Sequence, residues 1–347
     1  MKTASNKTQS GTHLTHLSHI YKRSGTRLAL SVAATLFCGL GVLGLSESAA
    51  AQQKTLNEAI AEHPGWAQLP GELIRPDCVH EIPKGARVEI AKDGSLTGDV
   101  TMNGELIAHY DACPEEAVAT RGAAQTRNMA QPKEQLTGNG WVEDDQWNAP
   151  LSSSDNIDYL GANWVVPGYP AEADGQLIYL FDGIEPASHK WALEAALQYG
   201  YNGVWGGDYY SVTTFLTSAG AVYYSSPDYV NPGDSLSGIV QMTGISGSTT
   251  YWDVLIVDNY TGAGSEGSYW VSGQHWTWAY RGAVAAYNLY ACAEFPTSGR
   301  AVFSDAVVAH GFPYLYEMSP NWVGAIPGYG GPTCHFAVVA ASGTLDF

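Results

Sequence analysis

Residues 209–216 (YYSVTTFL), 237–242 (SGIVQM) and 251–257 (YWDVLIV) decide the fold. Each is short, rich in aromatic and β-branched side chains, and bounded by Gly, Pro, Asn or Asp, which is the pattern of strands separated by turns. Similar runs recur on either side, at 176–181 (QLIYLF), 221–224, 269–272, 283–290 (AVAAYNLY), 300–303 and 335–340. Around ten strands in about 200 residues predict an all-β antiparallel sandwich over residues 138–347. Helical periodicity is nearly absent from this region, and 187–198 (ASHKWALEAALQ) is its one helical candidate.

Upstream the pattern is different. Residues 56–63 (LNEAIAEH) predict a short helix that ends at Pro64-Gly65. Three strand-like segments follow at 86–91, 96–101 and 105–110, joined by Asp93-Gly94 and Asn103-Gly104, both strong hairpin signals. The expectation is a small β-meander over 52–113, marginal at its size without a staple. Residues 114–137 are polar, Ala-rich and aperiodic, and read as a linker whose Arg121 and Arg127 are candidate processing sites.

The first 27 residues hold five bases and no acid, and an apolar run follows at 28–45, then Ala49-Ala50-Ala51. This is the layout of a secretory signal peptide over 1–51, with a retained anchor as the alternative. Removing it takes the 16 bases to 11 and the 34 acids to 33, a net charge of −22. It also leaves four cysteines, and an even number in an exported chain predicts disulfides. Cys78 with Cys113 and Cys292 with Cys334 would each close a loop within one region. A Cys2His2 site from Cys78, His80, His109 and Cys113 is the metal alternative, but its spacing is not a standard zinc pattern. No metal or cofactor is expected.

The charge balance disfavours nucleic acid, which needs clustered Lys and Arg. Residues 151–347 carry 17 acids against Lys190, Arg281 and Arg300. A fold with so few ion pairs loses little when carboxylates protonate, which permits work in acid. The plainer reading is an exported surface kept monomeric and soluble by its charge. No P-loop, dinucleotide fingerprint or zincin helix is present. Gly244-Ile245-Ser246-Gly247 falls short of a nucleophile elbow, because Ser248 stands where the motif needs glycine.

In acid a His base would be protonated, so the candidate groups are carboxylates and amides within aromatic strands: Asp182, Glu194, Gln198, Asp253 and Glu294. Asn163-Trp164-Val165-Val166-Pro167, Tyr179-Leu180-Phe181-Asp182-Gly183-Ile184, Leu197-Gln198-Tyr199-Gly200 and Val230-Asn231-Pro232-Gly233-Asp234 follow one another in that order. Together they resemble the glutamic peptidases called eqolisins over roughly residues 138–310.

That resemblance implies a concanavalin-like (jelly-roll type) sandwich, secretion with a propeptide, and an acid-active endopeptidase acting on polypeptide. It implies a Glu general base and a Gln that polarises water and the scissile carbonyl. Gln198 and Glu294 match those two positions. In a second register the glutamate position falls on Ala285. Glu194 then stands where some relatives carry a further Gln, so a Glu194–Glu294 pair is the alternative.

Trp164, Asp182, Trp191, Trp276 and Trp278 are the candidate substrate-binding residues. Alternation in His275-Trp276-Thr277-Trp278 predicts that both Trp side chains face one way. The same aromatics also suit a carbohydrate-binding sandwich, or a catalytically inactive homologue that only binds.

Overall fold

The computed structural model describes residues 56–90, 97–120, 140–218, 220–326 and 334–347. The expected signal peptide, the Asp93-Gly94 turn, and Arg121 and Arg127 lie outside these residues. The described residues open with helix α1 (Leu56–Glu62), then β1 (Ala67–Leu69), β2 (Glu72–Ile74), β3 (Val79–Ile82), β4 (Ala86–Ile90), β5 (Gly98–Met102), β6 (Glu105–Tyr110) and β7 (Val118–Thr120). The larger part supplies β8 (Trp141–Asn148), β9 (Ile157–Val165), β10 (Leu177–Pro186), β11 (Ala192–Tyr201), β12 (Gly206–Thr217), β13 (Val222–Ser225) and β14 (Asp228–Val230). It continues through β15 (Ser235–Ser246), β16 (Thr249–Asp258), β17 (Gly264–Ser272) and β18 (Trp276–Tyr287). Six short strands close the chain: β19 (Arg300–Val302), β20 (Ser304–His310), β21 (Tyr316–Glu317), β22 (Val323–Ala325), β23 (Ala337–Val339) and β24 (Thr344–Asp346).

The all-β sandwich is present. One sheet runs β22-β8-β18-β10-β11-β12-β13-β3, with β14 also on β12; the other runs β21-β20-β9-β15-β16-β17-β4-β5-β6. Within the larger part the pairings are antiparallel, but β3 joins β13 and β4 joins β17 in parallel. The meander strands therefore lengthen both sheets and cover edges that would otherwise offer unpaired backbone groups. Asn103 and Gly104 both have positive φ (52° and 83°), the conformation that the β5–β6 hairpin turn demands.

Between the sheets lies the main core, with Leu180, Leu197, Val240, Val254, Trp164, Trp252 and Trp276 among its members. A chain of hydroxyls crosses this interior: Tyr269 and Thr214 are 2.9 Å apart, Thr214 donates to Ser225 at 2.8 Å, and Ser225 meets Ser265 at 2.6 Å. None of these groups titrates in acid, so this tie between the sheets is insensitive to low pH.

A second apolar cluster lies on the outer side of the first sheet. Tyr179, Phe181, Ala196, Phe215, Ala283, Ala285 and Tyr287 pack there against Ala67, Leu69, Ile74, Cys78 and Ala117 of the N-terminal part. Both disulfides form as expected, Cys78–Cys113 and Cys292–Cys334. The first excludes the Cys2His2 alternative, because its sulfurs are bonded to each other.

The helical candidate at 187–198 is overturned: its second half is strand β11. Ala, Leu and Glu favour helix locally, but β10 and β12 pair along both edges of this segment and apolar layers cover both faces. Ser246 ends β15 at a hairpin through Gly247 (φ 61°), as expected for a residue between strands. Among the described residues no helix is long and apolar enough to cross a membrane.

Candidate functional site

Directly opposed residues in a sheet share a face. The registers of the first sheet place Ala285, Tyr179, Gln198, Ser211 and Tyr229 in one line across five strands. Two steps along β11, Glu194 is opposed to Gly183, which in turn is opposed to Tyr280. This outer face is where the N-terminal segment rests.

Gln198 is fully buried, and its amide is held at both ends. Its Nε2 donates to the carbonyls of Gly200 (2.8 Å) and Trp205 (3.3 Å), and its Oε1 accepts from Asn202 Nδ2 at 3.2 Å. The loop that brings Trp205 back depends on Gly206, whose φ is +109°. A Cβ there would stand 2.1 Å from the Gly200 carbonyl and 2.5 Å from Gln198 Nε2. Asn202 Nδ2 also donates to the Tyr179 hydroxyl at 3.2 Å.

The face holds the β1–β2 hairpin, in which Leu69 is opposed to Glu72 across a turn at Pro70-Gly71. Tyr179 donates its hydroxyl to the Gln68 carbonyl at 2.9 Å, and the Gln68 N–H donates to the Asn202 carbonyl at 2.8 Å. Tyr287 donates to the Leu69 carbonyl and, at 3.4 Å, to that of Glu72. Asn288 Nδ2 donates to Gln68 Oε1 at 3.0 Å. Burial keeps the Tyr179 phenol well above its ordinary pKa, so it remains a donor.

Carboxylates gather further along. Glu194 is 3% exposed, and its Oε2 meets no hydrogen-bond partner among the described residues. Burial, then the charges of Glu185 and Glu72, raises its pKa well above the ordinary carboxylate range. Glu185 accepts from Tyr280 Oη at 2.9 Å and is 2.8 Å from His189 Nδ1. The His189 ring lies 5.0 Å from Trp278.

Glu294 is elsewhere. It ends a 3-10 turn (Cys292–Glu294) beyond β18, its Oε2 accepts from the Tyr290 N–H at 2.6 Å, and its carbonyl accepts from Gln176. The residue in line with Gln198 on β18 is Ala285, the second of the two registers weighed above. Glu194 and Gln198 share a face, but four residues of strand separate them by roughly 13 Å at ~3.3 Å per residue, too far to share one water.

Asp182 points the other way, into the space between the sheets: a Cβ on Gly238 would lie 2.3 Å from its Oδ1. Burial raises its pKa well above the usual range, partly offset by backbone N–H groups. Asp253 lies on the second sheet and accepts from Ser268 Oγ at 2.7 Å.

Trp164, Trp191 and Trp276 belong to the inter-sheet core, Trp164 against Phe303 and Trp276 edge-on to Trp252. Trp278 packs instead on the outer side of the first sheet. The expectation that Trp276 and Trp278 face the same way is therefore corrected. A register shift opposite Glu185 and Pro186 breaks the alternation of β18 at that point.

The sequence reading did not single out Tyr179, Glu185, His189, Asn202, Tyr280 or Tyr287. A signal was available: 177–186 (LIYLFDGIEP) is too apolar for a strand with one wet face, and Tyr179 and Glu185 stand on the same alternating face of it.

No family profile matches the chain, and no curated protein matches it. Solved structures of scytalido-glutamic peptidase with transition-state analogs are similar at 13% and 14% identity, each with a TM-score of 0.38 over 59% of this chain and 96% of theirs. SCP-B, a member of the eqolisin family of peptidases in complex with the tripeptide Ala-Ile-His, is similar at 14% identity and a TM-score of 0.35. These overlaps are those of distant folds and assign no residue role.

Proposed function

We propose that this is an exported, peptidase-type β-sandwich that holds polypeptide through its backbone on the outer face of its first sheet. One observation carries the reading. Tyr179, Tyr287 and Asn202 already engage the backbone of the β1–β2 hairpin at residues 68–72, through groups that bind main-chain carbonyls and N–H groups whatever the side chains. The occupant is the protein's own N-terminal segment, residues 67–78 of the proposed propeptide 52–113, ahead of a linker carrying Arg121 and Arg127. Binding of a synthetic peptide spanning 66–74 to the secreted protein, weakened in Tyr179→Phe/Tyr287→Phe, would support the reading. A peptide that does not bind, in the intact or the processed form, would end it.

The finer reading is an acid-active glutamic endopeptidase with Gln198 and Glu294 as its pair. Its support is the base-poor sandwich and Gln198 at the centre of the face. Against it stand Ala285 in line with Gln198 and the Glu294 carboxylate engaged at Tyr290. Casein cleavage at pH 3–4 in the presence of pepstatin, lost in Gln198→Ala and in Glu294→Gln, would establish it. Absence of cleavage leaves a polypeptide-binding homologue, and a glycan-array signal without peptide binding would favour the carbohydrate alternative.

A further inference from the structure

We infer that Glu194 and Glu185 form the floor of a side-chain pocket that selects a lysine or arginine of the bound polypeptide, at the position Glu72 now occupies. The inference rests on the polypeptide-binding reading of this face.

Three observations carry it. The first is an unmet acceptor: Glu194 is 97% removed from solvent, and its Oε2 has no hydrogen-bond partner among the described residues. A buried polar atom without a partner is costly, and a ligand that donates to it recovers that cost. The second is charge. Glu194 feels Glu185 and Glu72 as its charged neighbours. The other titratable groups around the pair are Tyr179, Tyr280 and His189, of which Tyr280 and His189 are engaged with Glu185 Oε2. The covering segment thus presents an acid where a cation would be complementary. The third is shape. Gly183 lies between Glu194 and Tyr280 across the three strands and brings no side chain of its own to this face. Tyr280 and Trp278 line one side, and aromatic walls over a carboxylate floor suit ammonium and guanidinium groups.

Among the described residues no group of three or more His, Cys, Asp or Glu is arranged to hold a metal ion. The cover is therefore a poor ligand for its own groove, matched in backbone and mismatched in charge, and a basic polypeptide should displace it.

The test uses the full chain, in which residue 72 reports on the pocket directly. Glu72 has contacts of its own, so Glu72→Gln is the reference that removes them. At pH 7, Glu72→Lys is expected to melt a few degrees above Glu72→Gln. That gap should close when Glu194 and Glu185 are both changed to Gln. It should also shrink on acidification to pH 4, a readout that needs no further variant. In binding, a 66–74 peptide carrying Lys at position 72 should bind about tenfold more tightly than the natural sequence, a ratio lost in Glu194→Gln.

Glu72→Lys melting no higher than Glu72→Gln, or a gap that survives loss of both carboxylates, would overturn the pocket. The melting comparison is intramolecular, so it stands or falls separately from the peptide-binding assay that tests the polypeptide reading.

Discussion

Strands β11 and β16 hold similar interior places in the two sheets, yet they bury differently. In β11 every residue from Ala192 to Gly200 is buried. In β16 the pattern alternates, with Tyr251, Asp253, Leu255 and Val257 half-exposed between buried neighbours. A sheet wrapped against one partner buries one face, as the second sheet does. The first sheet is covered twice, by the second sheet and by the N-terminal segment. That second cover lies on the face proposed to hold polypeptide.

The comparison can be broken by substitution. Phe181 is fully buried on the covered face, edge-on to Trp141 at 5.2 Å, and Phe181→Ala should cost about 3–5 kcal/mol in denaturant unfolding. Ile245, 57% exposed on the second sheet, should tolerate Ala within about 0.5 kcal/mol. Equal costs at the two positions would mean that the outer cover contributes nothing. Next in size is the staple that holds the cover together. Losing the Cys78–Cys113 link, which spans 35 residues, in a double Ser variant should cost about 4 kcal/mol in the chain-entropy model. Its melting temperature without reductant, compared with wild type, checks this.

A smaller effect separates the faces by pH. Glu143 on β8 is pushed up to about 9 by burial, with the nearby charges of Asp346 and Asp144 adding to it. A folded pKa above the unfolded one means stability that is full below about 4.5 and lost as pH rises toward 9. Wild type should therefore melt several degrees lower at pH 8.5 than at pH 5, and Glu143→Gln should flatten that slope. A flat wild-type profile would show that the group is not buried as described. A modest change on the covered face is Tyr287→Phe, which removes the hydroxyl donated to Leu69 and Glu72. It should cost about 1 kcal/mol and raise hydrogen exchange at residues 67–74 while leaving the second sheet unchanged.

Much of this was legible in the sequence. Residues 237–242 and 251–257 show strand composition and turn boundaries on their face, and the four cysteines paired as their positions implied. Residues 187–198 were not legible as strand, because Ala, Leu and Glu favour helix until neighbouring strands claim their backbone groups. Gln198 could be named from its motif. Its alignment with Ala285 stood as one of two registers, and the choice between them was not legible because it depends on pairings across β10, more than eighty residues apart. The Trp276–Trp278 reading failed at a bulge, where one extra residue undoes alternation.

By itself the sequence determined the class of fold and an acid-rich, base-poor larger domain, since these follow from local composition and chain order; the disulfide pairs it only suggested, and the structure settled them. Only the tertiary structure decided which face is covered, which residue stands opposite Gln198, and which carboxylates share one buried site. Those depend on register and on a segment folding back from far away in the chain, neither of which leaves a local trace.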